Sequence, residues 1–399
     1  MARPTSLTLH LRALLLGLLG ALCLPFASAY AQGSPDWMAD VPDATALNRL
    51  SLPGAHDCAT GNGFSGLSAL VGASMGKTQD KTLAEQWDCG IRVFDLRPHL
   101  DGNTLRNYHG VLATKLLFDE ALASICEKLA AHPTECAIVI FQEEEGSEST
   151  HATWAQKVSE VLHSDALASY VVDYRSTLTL GDLRGKLLIL ARNDYGTTPI
   201  GAYLSGWSFS ADISSQSAGS VKGPTSTGSF RVQDFYDVTA SGAMDKKLAA
   251  ITTMLELTQK NAPKNRTLYI NHTSGYTTSA STAGNRNNAQ QCNAHLLALL
   301  ADGQHVGPTG IVMMDFAGAD KSGNYTTNGQ ALIDAIVAAN LSLITGIQSV
   351  PASDVSGTSV SDEASAPVAS APARLVLRHE QLRLESSGGS RTLGGQRIR

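Results

Sequence analysis

The sequence predicts an α/β fold, a distorted or incomplete TIM-type (β/α)8 barrel of parallel strands. Three observations point there. Short β-rich apolar runs alternate with stretches of helical periodicity. The region carrying them is about 320 residues long, large for one domain but ordinary for an α/β barrel. Nearly every run ends in polar residues, on the face where the active sites of such barrels collect.

The runs, in order, are Leu47–Leu52, Ile91–Leu96, Leu105–Tyr108, Ala137–Phe141, Lys186–Ala191, Phe230–Val232, Leu268–Ile270 and Ile311–Met314. Helical patterns fall at Phe118–Ala131, Thr153–Leu162, Met244–Gln259, Asn287–Leu300 and Gln330–Ala339, with Gly90, Pro133, Gly185 and Gly310 at junctions. Little helical pattern separates the second and third runs, so the barrel is not ideal. The runs end respectively in His56-Asp57, Asp95-Leu96-Arg97, His109, Gln142-Glu143-Glu144, Arg192, Asp234-Phe235-Tyr236, Asn271-His272-Thr273 and Asp315.

The two ends read differently. Arg3 and Arg12 precede an apolar run from Ala13 to Phe26, and Ala27-Ser28-Ala29-Tyr30-Ala31 offers small residues for cleavage. Residues 1–31 are therefore expected to be a signal peptide, too short for a membrane span, with the mature protein secreted or periplasmic. Residues 32–350 form the expected barrel domain. Residues 351–399 read as a low-complexity, disordered tail whose Arg-rich end carries six Arg and two Glu from Arg374 onward. The 30 basic and 36 acidic residues give a net charge of −6, which becomes −8 once Arg3 and Arg12 are lost. With no basic cluster interleaved with aromatics, nucleic acid is excluded as a partner. Without Cys23 five cysteines remain, Cys58, Cys89, Cys126, Cys136 and Cys292. Export favours one or two disulfides among them, and the lack of a C-x-x-C pair argues against zinc.

Strand alternation puts Ile91, Val93, Asp95 and Arg97 on one face, an apolar wall opening into a polar pocket. Such a pair is either a structural ion pair or, with Arg97, a fork that grips phosphate through two hydrogen bonds. His56 and His109 both sit at strand exits. A lone histidine there is more often structural, and His99, His132, His151, His163 and His305 are read that way. Two beside an Asp-x-Arg can share acid–base work, one removing a proton from a hydroxyl and the other protonating a leaving alkoxide. Asp57 and Asp315 can fix their tautomers.

The order PGAHD, GIRVFDLR, YHG, GKLLILAR, VQDFY and MDF, from about Leu50 to Phe316, resembles the bacterial phosphatidylinositol-specific phospholipases C. The resemblance implies a distorted barrel and attack of the inositol 2-hydroxyl on phosphorus, giving a cyclic phosphate and diacylglycerol. It implies His56 as general base, His109 as general acid, and Arg97 on the phosphate, supported by Asp57, Asp95 and Asp315. Arg192 and Asp234 would hold inositol hydroxyls and Tyr236 would stack on the sugar. The bland alternatives are surface charges for the first two and core for Tyr236. Gln142 departs from the family, which tends to carry a lysine there, and an amide can still bond a hydroxyl.

The calcium-dependent relatives place a carboxylate where Arg97 stands, so no metal and no other cofactor is expected. The expected partner is phosphatidylinositol or a related inositol phospholipid at a membrane surface, met by a peripheral monomer. Phe64, Leu67, Leu70, Val71 and Met75, with Trp207 and Phe209, are either interfacial contacts or ordinary loop anchors. Two rivals stand beside this reading. One is a metal-dependent glycerophosphodiester phosphodiesterase or sphingomyelinase-D-like enzyme; the other is a non-catalytic inositide- or glycan-binding barrel.

Overall fold

A computed structural model describes residues 35–196, 200–208, 217–224, 227–345, 374–378, 381–386 and 389–392. The expected signal peptide lies outside the described residues.

Among the described residues the main unit holds, besides the short hairpin Lys321–Ser322 and Tyr325–Thr326, thirteen strands: β1 (Leu52–Ala55), β2 (Val93–Leu96), β3 (Pro98–Asp101), β4 (Thr104–His109), β5 (Leu112–Leu117), β6 (Ala137–Phe141), β7 (Val171–Val172), β8 (Leu187–Ala191), β9 (Ala202–Ser205), β10 (Ser217–Lys222), β11 (Thr227–Gln233), β12 (Leu268–His272) and β13 (Ile311–Met314). Among the described residues nine of them close a ring in the order β6-β2-β1-β13-β12-β11-β10-β9-β8, with β8 pairing back to β6. Pairing is parallel throughout except at β10, which runs antiparallel to both β9 and β11. The barrel is thus distorted and mixed where all-parallel strands were expected.

The wall strands are apolar because both of their faces are covered. Every residue of β6 and β8 is buried. Outside, the helix Phe118–Ala131 turns Phe118, Ala121, Leu122, Ile125 and Leu129 inward, the spacing of one helical face. Gly54 is required by close approach, since a Cβ there would lie 2.4 Å from Met313 Sδ across the β1–β13 pair. At the end of the barrel away from the strand exits, Arg92 is fully buried. Its Nε donates to Glu135 Oε2 at 2.9 Å and its guanidinium lies 4.0 Å over the Trp87 ring.

Two expectations change. The run Leu105–Tyr108 is not barrel wall but the centre of β4, the middle strand of the antiparallel sheet β3-β4-β5. Its alternating burial is the mark of a sheet with one solvated face. All five cysteines among the described residues are free thiols, where one or two disulfides were expected. They pack as small apolar groups: Cys136 lies 3.7 Å from Met38 Sδ and Cys292 3.9 Å from Met244 Sδ.

Residues 350–399 form a separate unit. In this tail, expected to lack order, the described residues are three antiparallel strands, Arg374–Arg378, Gln381–Ser386 and Gly389–Thr392. The alternation of Leu382 and Leu384 with Gln381, Arg383 and Glu385 has the strand period of two.

Candidate active site

The strand exits converge on a cavity of about 530 Å³ lined by His56, Arg97, His109, Gln142, Glu144, Asp234, Tyr236 and Asp315, among others. His56 leaves β1, Arg97 leaves β2, Gln142 and Glu144 follow β6, Asp234 follows β11 and Asp315 follows β13. His109 enters from the side, at the end of β4 in the hairpin sheet. The backbone bends sharply at these exits, and Asp57 and Phe316 both sit in the left-handed region, at φ 49° and 54°.

Arg97 is the centre. Its Nη2 donates to Asp95 Oδ2 at 3.0 Å and lies 2.9 Å from His56 Nε2. Asp57 Oδ1 and Glu144 Oε2 each lie 3.5 Å from the guanidinium. Burial works against its charge, but Asp57 and Asp95 outweigh it and hold Arg97 well above the usual arginine range. Burial likewise opposes the Asp95 carboxylate, and Arg97 brings it below the usual range. A carboxylate cluster of this kind can bind a metal only if something other than arginine occupies its middle. Here the guanidinium does.

His56 is held from both sides. Nδ1 lies 2.8 Å from Asp315 Oδ1, and Asp315 Oδ2 accepts from the Gly275 amide at 3.1 Å. A guanidinium can only donate, so in the neutral ring Nε2 offers its lone pair to Arg97 and the proton sits on Nδ1, facing Asp315. Burial alone would lower the basicity of this ring. The Asp315 carboxylate overrides burial and pushes it up to about 9. A phosphate that takes over the hydrogen bonds of Arg97 would expose a strongly basic Nε2.

His109 has a different support. Nδ1–H donates to the Gly76 carbonyl at 2.6 Å, turning Nε2 toward Asp57 Oδ2 at 3.5 Å. Gly76 admits this approach because it lacks a Cβ, which would stand 2.9 Å from His109 Nδ1. The Gly110 amide donates to Glu144 Oε1 at 2.7 Å, pinning the His109 turn to the exit of β6. Asp57, facing this histidine, has a carboxyl raised by burial despite Arg97. The two histidines thus have one carboxylate each, Asp315 and Asp57, with Arg97 and Asp95 between them.

Asp234 occupies the other side. Its Oδ2 accepts from Trp207 Nε1 at 3.0 Å and lies 3.8 Å from Arg192 Nη2. Burial opposes its charge, and His272 and Arg192 hold the carboxyl well below the usual range. Arg192 is nearly buried, stacked 4.2 Å over the Trp207 ring, and burial lowers it to about 10. It lines a smaller adjoining cavity of about 240 Å³ with Gln142, Glu143, Asn193 and Trp207, behind Asp234. Tyr236 is 36% exposed at the mouth, its ring 5.8 Å from that of Tyr276. Gln142 Nε2 donates to Glu144 Oε2 at 2.9 Å.

All ten residues singled out from the sequence therefore lie in or against this pair of cavities. Three others were passed over: Glu144 and His272, each read only as part of a strand end, and Lys247, in no motif. Lys247 is buried on the helix Ala243–Asn261 and donates to Gln233 Oε1 at 3.1 Å and to the Phe235 carbonyl at 2.5 Å, bracketing Asp234. Trp207 is pocket wall, under Arg192 and bonded to Asp234, and Phe209 lies outside the described residues. Phe64 is buried, whereas Leu67 and Leu70 are 85% and 81% exposed on or beside the helix Ser68–Met75, as is Val111 at 75% beside His109.

With that geometry, the likeness to known proteins is informative. Residues 62–193 match the family profile described as phosphatidylinositol-specific phospholipase C, X domain. A 1-phosphatidylinositol phosphodiesterase of Listeria monocytogenes is 29% identical over 158 residues, 39% of this chain and 48% of that protein. The chain thus spans about half the length of that relative. A protein of the same description from Staphylococcus aureus is 25% identical over 322 residues, 78% of this chain and 93% of its own. Among solved structures, a double mutant of the S. aureus phosphatidylinositol-specific phospholipase C matches with TM-score 0.61 and 22% identity, over 76% of this chain and 98% of that one. The L. monocytogenes phosphatidylinositol-specific phospholipase C matches with TM-score 0.58 and 22% identity, over the same shares. These structures share the barrel fold.

Proposed function

We propose, from the match of residues 62–193 to the phosphatidylinositol-specific phospholipase C X-domain profile and from the site's geometry, that the chain cleaves phosphatidylinositol to diacylglycerol and a cyclic inositol phosphate. His56 Nε2 removes the proton of the inositol 2-hydroxyl as its oxygen attacks phosphorus. The bond from phosphorus to the glycerol oxygen breaks, and His109 Nε2–H protonates the departing alkoxide. Arg97 neutralises the phosphoryl oxygens, and Asp315 stabilises the imidazolium formed on His56. Asp234, steadied by Arg192 and Trp207, accepts hydrogen bonds from the inositol ring, with Tyr236 stacked at the mouth.

The observation that carries this reading is the bracketing of His56. Nδ1 is fixed on Asp315 at 2.8 Å and Nε2 meets Arg97 at 2.9 Å. That places a base and a phosphate-binding cation within one hydrogen bond of each other. A purely ligand-binding barrel needs no such arrangement.

The proposal includes a peripheral monomer acting at a membrane surface. Among the described residues no helix is long and apolar enough to cross a bilayer. It also includes export, with removal of residues 1–31. Terminal sequencing of secreted protein should begin near residue 32, and full-length protein retained inside cells would contradict export. The catalytic reading is tested by diacylglycerol release from phosphatidylinositol in excess EDTA. Turnover should persist there and fall by about two to four orders of magnitude in either His56→Ala or His109→Ala. Near-normal turnover in His56→Ala, or turnover restored only by added calcium, would overturn it.

A further inference from the structure

His272 closes β12 beneath the pocket and is 2% exposed. Its Nδ1 lies 3.1 Å from Ser274 Oγ and 3.5 Å from Asp234 Oδ1. The ring meets His56 near edge-on, centroids 6.0 Å apart and planes at 77°, and meets Trp207 in the same way at 5.9 Å and 89°. Trp207 in turn donates to the other oxygen of Asp234. The Asp234 carboxylate is thereby addressed from two directions, Oδ1 by His272 and Oδ2 by Trp207.

The proton position follows from the surroundings. Nε2 is buried without a hydrogen-bond partner among the described residues. A proton there would be a buried donor left unmade and would leave a lone pair on Nδ1 facing a carboxylate, which costs on both counts. On Nδ1 the proton faces Ser274 and Asp234. We propose that His272 is a positioning residue that fixes the Asp234 carboxylate at the pocket floor and spaces it from the His56 base. This rests on reading Asp234 as the acceptor of inositol hydroxyls. Burial lowers the His272 ring to about 3, so it stays neutral and adds no charge beside His56.

Three substitutions separate this role from simple packing. His272→Phe keeps the ring shape and removes both nitrogens. His272→Asn places an amide near the site of Nδ1, and His272→Gln carries its amide toward the site of Nε2. With phosphatidylinositol in detergent micelles, His272→Phe and His272→Gln should each lower kcat/KM by about tenfold or more through misplacement of the substrate ring. His272→Asn should stay within about threefold of the unsubstituted protein, and the shape of the pH profile should not change in any of them, because the ring does not titrate there. In an Asp234→Ala background the Phe change should cost less than about twofold further, because its effect passes through the carboxylate. Equal activity of the Asn and Gln variants would overturn the proposal, as would a full additive cost in the Asp234→Ala background. Should the Phe variants not fold, the comparison of Asn with Gln decides alone. An unsubstituted protein that leaves phosphatidylinositol intact defeats the functional reading itself. One that cleaves the lipid while the variants fail these criteria defeats only the role of His272.

Discussion

Arg97 Nη2 lies 2.9 Å from Nε2 of His56, the nitrogen that takes a proton in the proposed reaction. The base is therefore covered until a phosphate draws the guanidinium away. In the proposed reaction, substrate binding and base exposure would be one event.

A pH prediction follows from the other side of that ring. Asp315 raises His56 to about 9 against the effect of burial. A general base works deprotonated, so kcat/KM should climb with pH toward that value. Asp315→Asn leaves burial opposed by Asp57 alone, so the rising limb should move to lower pH by at least about one unit while the rate falls. The stability sign is opposite. A folded pKa above the ordinary 6.5 stabilises the fold below that pH, and this contribution is lost as pH rises through about 9. Melting temperature from pH 6 to 10 should fall more steeply in the unsubstituted protein than in Asp315→Asn. A limb that does not move in that variant would contradict the pairing.

The second prediction concerns Gly76, which no motif marks. A Cβ there would stand 2.5 Å from Leu112 Cδ1 and 2.9 Å from His109 Nδ1. Gly76→Ala should displace His109, the proposed acid, and lower kcat by about tenfold or more, with little change in vesicle binding. Unchanged kcat would show that His109 does not depend on this contact.

The third concerns the membrane. Leu67, Leu70 and Val111 stand exposed on the rim that carries His109. Their exchange for serine should weaken binding to phosphatidylinositol vesicles by about tenfold or more, since each leucine contributes roughly 1.5–3 kcal/mol when fully buried. Cosedimentation measures it. Undiminished binding of the triple variant would place the contact surface elsewhere.

The fourth separates stability from chemistry. Arg92 and Glu135 form a fully buried pair far from the pocket, joined at 2.9 Å. Glu135→Ala leaves a buried charge without its partner and should cost about 3–5 kcal/mol in denaturant unfolding. Turnover per folded molecule should stay normal.

Much of this was legible in the sequence because wall strands buried on both faces read as unbroken apolar runs, as in β6 and β8. Their polar exits named His56, Arg97, Asp234 and Asp315 directly. The hairpin sheet was not legible as such, because Tyr108-His109-Gly110 ends a run just as a wall strand does; only the alternation from Thr104 to His109 distinguishes it. β10 was missed because Ser217–Lys222, rich in Ser, Ala and Gly, has little apolar signal. His272, Lys247 and Gly76 act through three-dimensional neighbours far away in sequence, which spacing does not encode. For Trp207 the sequence leaves interface and loop anchor both open, because its partners Arg192 and Asp234 are distant in sequence.

The central claim is that the inositol 2-hydroxyl is the nucleophile, activated by His56. Phosphorus NMR at early times, with phosphatidylinositol and phosphatidylcholine side by side, tests it most directly. A five-membered cyclic phosphodiester should appear first, from the inositol lipid alone, because attacking oxygen and phosphorus belong to one molecule. An acyclic phosphomonoester as the first product, or equal cleavage of the choline lipid, would contradict it.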